Sequence, residues 1–148
     1  MWERMIGANL TGAFFCTRAA LADMMAAEYG RIVNIASTAG LHGAPYLAAY
    51  TASKHGLIGL TRALAAELKG SGITVNALCP GYTDSPMLEL AIGNITAKTG
   101  KSEEEARKQL AQMNPGGRIA TANEVADAVV ELCESDRSGE ELVLPGAQ

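Results

Sequence analysis

The segment from residue 31 to residue 54 reads RIVNIASTAGLHGAPYLAAYTASK and decides the fold class. Its first five residues are largely β-branched or apolar, which predicts a buried strand of a parallel sheet. Glycines and a proline then break the chain, and leucines at helical spacing follow over residues 57–68. The pattern therefore predicts a strand, a loop and a helix, with Ser37 after the strand and with Tyr50 and Lys54 in the first turns of the helix.

Tyr50 and Lys54 are the strongest candidates for chemistry. They are four residues apart and so share one face of the predicted helix. An ammonium group one turn away stabilises the phenolate form of a tyrosine, which suits the side chain to general acid–base catalysis. Such a pair alone is usually structural, but Ser37 upstream and Asn9 earlier in the chain favour a proton-transfer site.

The rest of the chain continues the alternation of helices and strands. A long helix is predicted from Trp2 to Tyr29, with Gly30 as its C-cap. Further predicted elements are a strand over Ile73 to Cys79, an apolar helix over Met87 to Ile95, a helix opened by a Ser102-x-x-Glu105 capping box and ending near Met113, a helix over Ala122 to Cys133, and a last strand over Glu141 to Leu144.

This order of elements predicts an α/β fold with a doubly wound parallel sheet in a single domain over residues 1–148. Only two or three strands are visible, and apolar strands need neighbours on both sides, so we expect the second half of a larger sheet. Ligands bind at the carboxyl ends of parallel strands, so Ser37 and the segment after Cys79 are expected to border one crevice. The segment from about residue 84 to residue 118 is predicted to form a lid.

Composition narrows the class of protein. A length of 148 residues fits one domain, and a net charge of −4 with scattered basic residues makes nucleic acid an unexpected partner. The three cysteines are far apart and form no Cys-x-x-Cys pair, so we expect no disulfide framework, no metal site and a reducing cytoplasm. Neither a signal peptide nor a membrane span is predicted.

Four motifs carry a family resemblance. They are Asn9 in Asn-Leu-Thr-Gly, Ser37 in Asn-Ile-Ala-Ser, Tyr50-x-x-x-Lys54 followed by His-Gly-Leu, and Pro80-Gly81 after Val-Asn-Ala. Together they make the chain similar, almost from end to end, to the C-terminal portion of a short-chain dehydrogenase/reductase. The resemblance implies a Rossmann-like doubly wound parallel sheet, of which this chain holds the C-terminal half.

The resemblance also implies roles for single residues. In this family a hydride moves between NAD or NADP and a carbonyl or carbinol carbon. Tyr50 would then exchange the proton of the substrate oxygen, Lys54 would assist it and bind the nicotinamide ribose, and Ser37 would hold the substrate oxygen. Asn9 would anchor a water molecule of a proton relay. Cofactor contacts are implied for Tyr50, Lys54, Pro80, Gly81, Thr83 and Ser85.

Three features depart from the family pattern. The Thr-Gly-x-x-x-Gly-x-Gly turn that holds the pyrophosphate does not occur in this sequence, nor does the residue that selects NAD or NADP. Met1 falls within the helix that follows the family's fourth strand, so we expect a gene fragment, an alternative start or a wrongly assigned start. Residues 138–147 are similar to the family's last strand but lack its usual Asp-Gly-Gly.

Two functions fit this sequence. The first is an NAD(P)-dependent enzyme for a ketone or secondary alcohol; the apolar residues at 87–95 and the motif at 114–118 resemble members acting on 3-oxoacyl or 3-hydroxyacyl thioesters and polyketide ketones, with steroids, sugars and polyols as alternatives. The second is a non-catalytic remnant that dimerises or docks on a partner. In the family, the helices that hold Asn9 and Tyr50 pair with their copies, which implies a homodimer or homotetramer.

Overall fold

Three parallel strands form the sheet in the computed structural model, which describes residues 1–144. The strands are β1 (Gly30–Ile35), β2 (Ile73–Pro80) and β3 (Glu141–Leu144). Their order is β1-β2-β3, with β2 in the middle. The parallel α/β sheet and all three strands expected from the sequence are confirmed. Of the segment 138–147, the part from residue 145 onward lies outside the described residues.

The register of the strands sets the position of the crevice. Ile35 at the end of β1 lies opposite Leu78 of β2, so both strands reach the same edge of the sheet. Ser37 follows β1 at this edge, and Gly81 follows β2. The loops after the two strands therefore start side by side, as expected for the carboxyl ends of parallel strands.

Helices pack on both faces of the sheet. They are α1 (Trp2–Ile6), α2 (Gly12–Ala27), α3 (Ala48–Glu67), α4 (Pro86–Thr99), α5 (Glu103–Gln112) and α6 (Ala122–Glu134). On one face, Leu57 and Ile58 of α3 pack against β2 at Cys79. On the other face, Leu132 of α6 packs against Leu78. Helices therefore cover both faces of this parallel sheet, as in a doubly wound fold.

The first helical region differs from its prediction. A π-helical turn at Gly7–Thr11 separates α1 from α2, and α2 ends before Glu28, which adopts a left-handed conformation with φ of 51°. Gly30 was expected to cap this helix, but it begins β1 instead. A Cβ atom at Gly30 would lie 2.6 Å from the Met24 sulfur, so close packing of α2 on the strand explains the glycine.

The segment after β2 forms a separate hydrophobic cluster. Helices α4 and α5 enclose a cluster of Leu88, Ile92, Ala106 and Leu110. The predicted capping box at Ser102 is present at the start of α5. A second capping box, formed by Thr121 and Glu124, opens α6 and was missed in the sequence. No helix within residues 1–144 is both long and apolar enough to span a bilayer.

Candidate active site

Tyr50 and Lys54 lie on the first two turns of α3, at the edge where β1 and β2 end. The Lys54 ammonium nitrogen is 5.6 Å from the centroid of the Tyr50 ring. Both residues are partly buried. At this distance the cation interacts with the face of the ring, so the helical spacing brings the pair into contact as expected.

Lys54 also joins α3 to the sheet. Its Nζ donates a hydrogen bond to the carbonyl oxygen of Ile35 at 2.7 Å. The Ala36 N–H bonds to β2 at Leu78, so the polar backbone groups of the preceding residue, Ile35, point to the other side of β1. No described strand lies on that side. The ammonium therefore satisfies a carbonyl at the open edge of the sheet.

Burial lowers the pKa of Lys54 from its usual value, because desolvation disfavours the ammonium, and the neighbouring Cys79 opposes this effect. Cys79 itself is fully buried. Burial is also the largest cause that raises the pKa of its thiol, to about 11. The Cys79 thiol is therefore protonated at neutral pH.

Ser37 caps the short helical turn Thr38–Gly40 at the end of β1. Its Oγ accepts a hydrogen bond from the Ala39 N–H at 3.1 Å, and the residue is almost completely buried. Because the oxygen is used as an acceptor, the hydroxyl hydrogen remains for donation to another group. The described residues contain no direct hydrogen bond from Ser37 to Tyr50 or Lys54.

Asn9 reaches the same region from the π-helical turn. Its Nδ2 donates to Ser53 Oγ at 3.0 Å, and Ser53 donates to the backbone carbonyl of Tyr50 at 2.7 Å. Ser53 has no exposed surface. The amide of Asn9 is thus linked to the first turn of α3 through one buried hydroxyl. Turns of π-helix are often found at functional sites of proteins.

The loop after β2 supplies polar backbone groups to the same edge. Thr83 forms a parallel bridge with Ala120, in which Ala120 N–H donates to Tyr82 and Asp84 N–H donates to Ala120. In such a bridge the N–H of Thr83 points away from Ala120. Ser85 Oγ donates to the Thr83 carbonyl at 3.0 Å.

Tyr82 connects this loop electrostatically with α3. Burial raises the pKa of its hydroxyl, and the nearby Tyr50 adds to the effect. The loop from Pro80 to Ser85 and the Tyr50–Lys54 pair therefore border one region. No cluster of three or more His, Cys, Asp or Glu side chains within residues 1–144 is arranged to hold a metal ion.

Comparison with known proteins identifies the family of this chain. The profile of the family described as short chain dehydrogenase matches residues 1–96. The chain belongs to the short chain dehydrogenase family. A ketoacyl reductase of the granaticin polyketide synthase from Streptomyces violaceoruber is 43% identical over 138 residues, which cover 92% of this chain and 50% of the relative.

Two further proteins are similar to this short chain dehydrogenase chain. The D-beta-hydroxybutyrate dehydrogenase of Rhizobium meliloti is 38% identical over 136 residues, covering 91% of this chain and 53% of the relative. A crystal structure of an actinorhodin polyketide ketoreductase variant with NADPH superimposes with a TM-score of 0.89 at 38% identity, covering 97% of this chain and 57% of that one. The chain spans about half the length of the curated relatives it matches.

Sequence reasoning missed two members of this site in the short chain dehydrogenase chain. Ser53 could have been recognised, because it is a small polar residue on the helix directly before Lys54. The Ile35 carbonyl left no signal in the sequence, since a backbone acceptor has no residue type of its own. Both make contacts that fix the first turns of α3.

Proposed function

We propose that this chain belongs to an NAD(P)-dependent oxidoreductase that interconverts a ketone and a secondary alcohol, with Tyr50 as proton donor or acceptor. The observation that supports this most is the Lys54 ammonium 5.6 Å from the centre of the Tyr50 ring, at the carboxyl edge of a parallel sheet. A cation there favours the phenolate that forms when the tyrosine gives up its proton.

Each polar side chain has a distinct task in this proposal. A nicotinamide held at this edge would supply the hydride for the carbonyl carbon, or accept one from the carbinol carbon in the opposite direction. In the reducing direction the Tyr50 hydroxyl gives its proton to the substrate oxygen, and in the oxidising direction the Tyr50 phenolate takes that proton back. The Ser37 hydroxyl hydrogen, left free by the contact with Ala39 N–H, donates to the same oxygen. Asn9 would anchor a water molecule of a proton relay.

The residues present fit the nicotinamide end of the cofactor. The Lys54 ammonium uses one N–H on the Ile35 carbonyl, which leaves two donors for ribose hydroxyls. The outward N–H of Thr83 suits the carboxamide, and the Ser85 hydroxyl lies beside it. Pro80-Gly81 starts this loop. The similar ketoreductase was crystallised with NADPH, and both NAD and NADP remain candidates for this chain.

We propose a 3-oxoacyl or 3-hydroxyacyl thioester as the substrate. Met87 and Leu90 of α4 are 69% and 70% exposed, and Met113 after α5 is 60% exposed. Apolar side chains on a lid suit an acyl chain better than a sugar. The names of the similar ketoacyl reductase and hydroxybutyrate dehydrogenase point to the same class of carbonyl.

Cofactor titration and a tyrosine variant test the proposal. Fluorescence titration with NADH and NADPH should give micromolar binding, and the chain should reduce an acetoacetyl thioester. Tyr50→Phe should lower kcat by roughly 10²-fold or more, a far larger effect than any change in cofactor affinity. Tyr46→Phe makes the same change at a fully exposed tyrosine and should have no effect. Unchanged turnover in Tyr50→Phe would contradict the proposal.

A second candidate function is a dimerising or partner-docking module without turnover. Trp2, Phe14 and Phe15 on α1 and α2 are 56%, 42% and 49% exposed, and Arg18 stacks on both phenylalanine rings. An exposed aromatic cluster of this kind favours a homodimer or homotetramer. Sedimentation of Phe15→Glu should then give a smaller species than the unchanged chain. Self-association without any NADH or NADPH binding would favour this second function.

We propose a reducing cytoplasm as the location. Cys16, Cys79 and Cys133 are all free thiols. Free cysteines of this kind persist where glutathione and thioredoxin keep thiols reduced. Fractionation of cells expressing the tagged chain tests this.

A further inference from the structure

Asn114 is a buried polar residue at the point where the lid segment returns to the sheet edge. It lies between α5 and the turn Pro115–Gly117, and only 6% of its surface is exposed. Its Oδ1 accepts from the Tyr82 N–H at 2.6 Å. Its Nδ2 donates to the carbonyl oxygens of Tyr82 and Arg118, both at 2.7 Å. A carboxamide can satisfy both the donor and the acceptor of one peptide residue, as a paired strand would.

The backbone after Asn114 strengthens this contact. The Tyr82 carbonyl also accepts from Ala120 N–H at 3.1 Å, and Asp84 N–H donates to the Ala120 carbonyl at 2.8 Å. The two ends of the lid segment are therefore joined at one place, with α4 and α5 between them. In this arrangement the N–H and carbonyl groups of Thr83 point away from Ala120.

The Asn114 amide packs closely against the backbone of Gly81. A Cβ atom at Gly81 would lie 2.3 Å from Asn114 Oδ1 and 2.8 Å from its Cγ. Any other residue at position 81 would displace the amide or the loop. The Asn114 amide can therefore occupy this position only if residue 81 has no side chain.

The Tyr82 side chain extends the contact into the lid. It packs against the cluster of Leu88, Ile92, Ala106 and Leu110 between α4 and α5. Tyr82 therefore contacts the lid with its side chain, and its backbone leads directly to Thr83. A side chain that fixes the Tyr82 peptide affects the positions of both the lid and Thr83.

We propose that Asn114 is a positioning residue whose carboxamide fixes the Tyr82 peptide and thereby sets the direction of the Thr83 N–H and the base of the lid. The role toward cofactor rests on the proposed function, in which Thr83 meets the nicotinamide carboxamide. An aspartate at position 114 has nearly the same shape but has no donor for the Tyr82 and Arg118 carbonyls, and its charge repels both.

Hydrogen exchange of single amides tests the contact directly in Asn114→Asp. The amides of Tyr82 and Asp84, which donate to Asn114 Oδ1 and to the Ala120 carbonyl, should exchange roughly tenfold faster, while amides 75–78 in β2 should keep their protection. Asn94→Asp makes the same change at an exposed position of α4 and should leave both groups of amides unchanged. Unchanged exchange at Tyr82, or equal acceleration in β2, would overturn the proposal.

Two further variants separate positioning from general stability. Asn114→Gln retains a donor and an acceptor and should restore part of the protection at Tyr82 that Asn114→Asp loses. Gly81→Ala and Asn114→Ala should be less damaging together than the sum of the single changes, because removal of the amide makes room for the new methyl group. If the two substitutions change the free energy of unfolding in urea additively, the proposed contact between Gly81 and the Asn114 amide is wrong.

Cofactor affinity completes the test. If the unchanged chain binds NADPH, Asn114→Asp should weaken that binding at least fivefold, and Asn94→Asp should not. Equal affinity despite faster exchange at Tyr82 would overturn the positioning role. If the unchanged chain binds neither NADH nor NADPH, the proposed function fails for this chain, and exchange at Tyr82 still decides whether Asn114 fixes the loop.

Discussion

The Lys54 ammonium and the Ile35 carbonyl oxygen are 2.7 Å apart, so the side chain paired with Tyr50 also holds the end of β1. Desolvation by burial lowers the pKa of this lysine, and its hydrogen bond is charge-assisted. The same contact fixes the distance between α3 and the strand that leads to Ser37. Structure and proposed chemistry thus depend on one atom, Nζ.

We therefore expect Lys54→Met to reduce both stability and turnover. Loss of the charge-assisted hydrogen bond should lower the free energy of unfolding by about 1 kcal/mol, since the carbonyl can still bond to water. Lys69→Met removes the same group from an exposed position and should change stability little. Urea unfolding measures both, and equal shifts in the two variants would contradict a specific role of the contact.

Gly40→Ala should destabilise the protein and disturb Lys54. A Cβ atom there would lie 2.8 Å from Ile58 Cδ1 and 2.9 Å from the Lys54 carbonyl oxygen. Overpacking of this kind costs about 1–3 kcal/mol. Gly43→Ala is the control, because a Cβ atom at Gly43 has no neighbour within 4 Å. If thermal unfolding moves equally in both variants, the close approach of α3 is not responsible.

Ser53→Ala should uncouple Asn9 from α3. The change leaves the Asn9 amide and the Tyr50 carbonyl without their shared hydroxyl partner, which should cost about 1–3 kcal/mol at this buried position. A double-mutant cycle with Asn9→Ala measures the coupling in chemical denaturation. We expect about 0.5–1.5 kcal/mol of coupling, and additivity would rule out the link.

The ion pair Arg118–Glu124, at the start of α6, should make the stability of the protein depend on pH in the acid range. The Arg118 guanidinium, followed by the Thr121 cap, lowers the pKa of Glu124 from 4.5 to about 2. Because the folded-state pKa is the lower one, the stabilisation is complete above about pH 4.5 and is lost as pH falls toward 2. Glu124→Gln should flatten the stability profile in this window.

Glu134→Gln serves as the control for that acid titration. It removes a carboxylate from the same helix, at an exposed position near its C-terminus. Its stability profile between pH 5 and about 2 should follow that of the unchanged chain. If the two variants flatten the profile equally, the pairing with Arg118 does not explain the effect.

The free cysteines should differ in reactivity toward iodoacetamide. Cys16 is exposed, whereas Cys79 is fully buried and burial raises its pKa to about 11. Thiolate is the reactive form, so Cys79 should stay unmodified at pH 8 until the chain is unfolded. Mass spectrometry of peptides measures this. Modification of Cys79 in the native chain at the rate of Cys16 would show that β2 opens readily.

Much of the fold follows from local patterns. Strand β2 is a largely apolar run whose residues are all buried except the last, and the Ser102-x-x-Glu105 pair starts α5 by hydrogen bonds within one turn. Such signals depend on neighbours in sequence, which explains why they could be predicted. The π-helical turn at Gly7–Thr11 has no comparable local signal.

The sequence by itself determined the order of helices and strands, the family, and the helical spacing that brings Tyr50 and Lys54 to one face. Only the tertiary structure decided that Lys54 bonds to Ile35, that Ser53 joins Asn9 to α3, and that Asn114 holds Tyr82. The physical reason is the separation along the chain. These contacts join residues 19 to 44 positions apart, and their partners are often backbone atoms that every residue type shares.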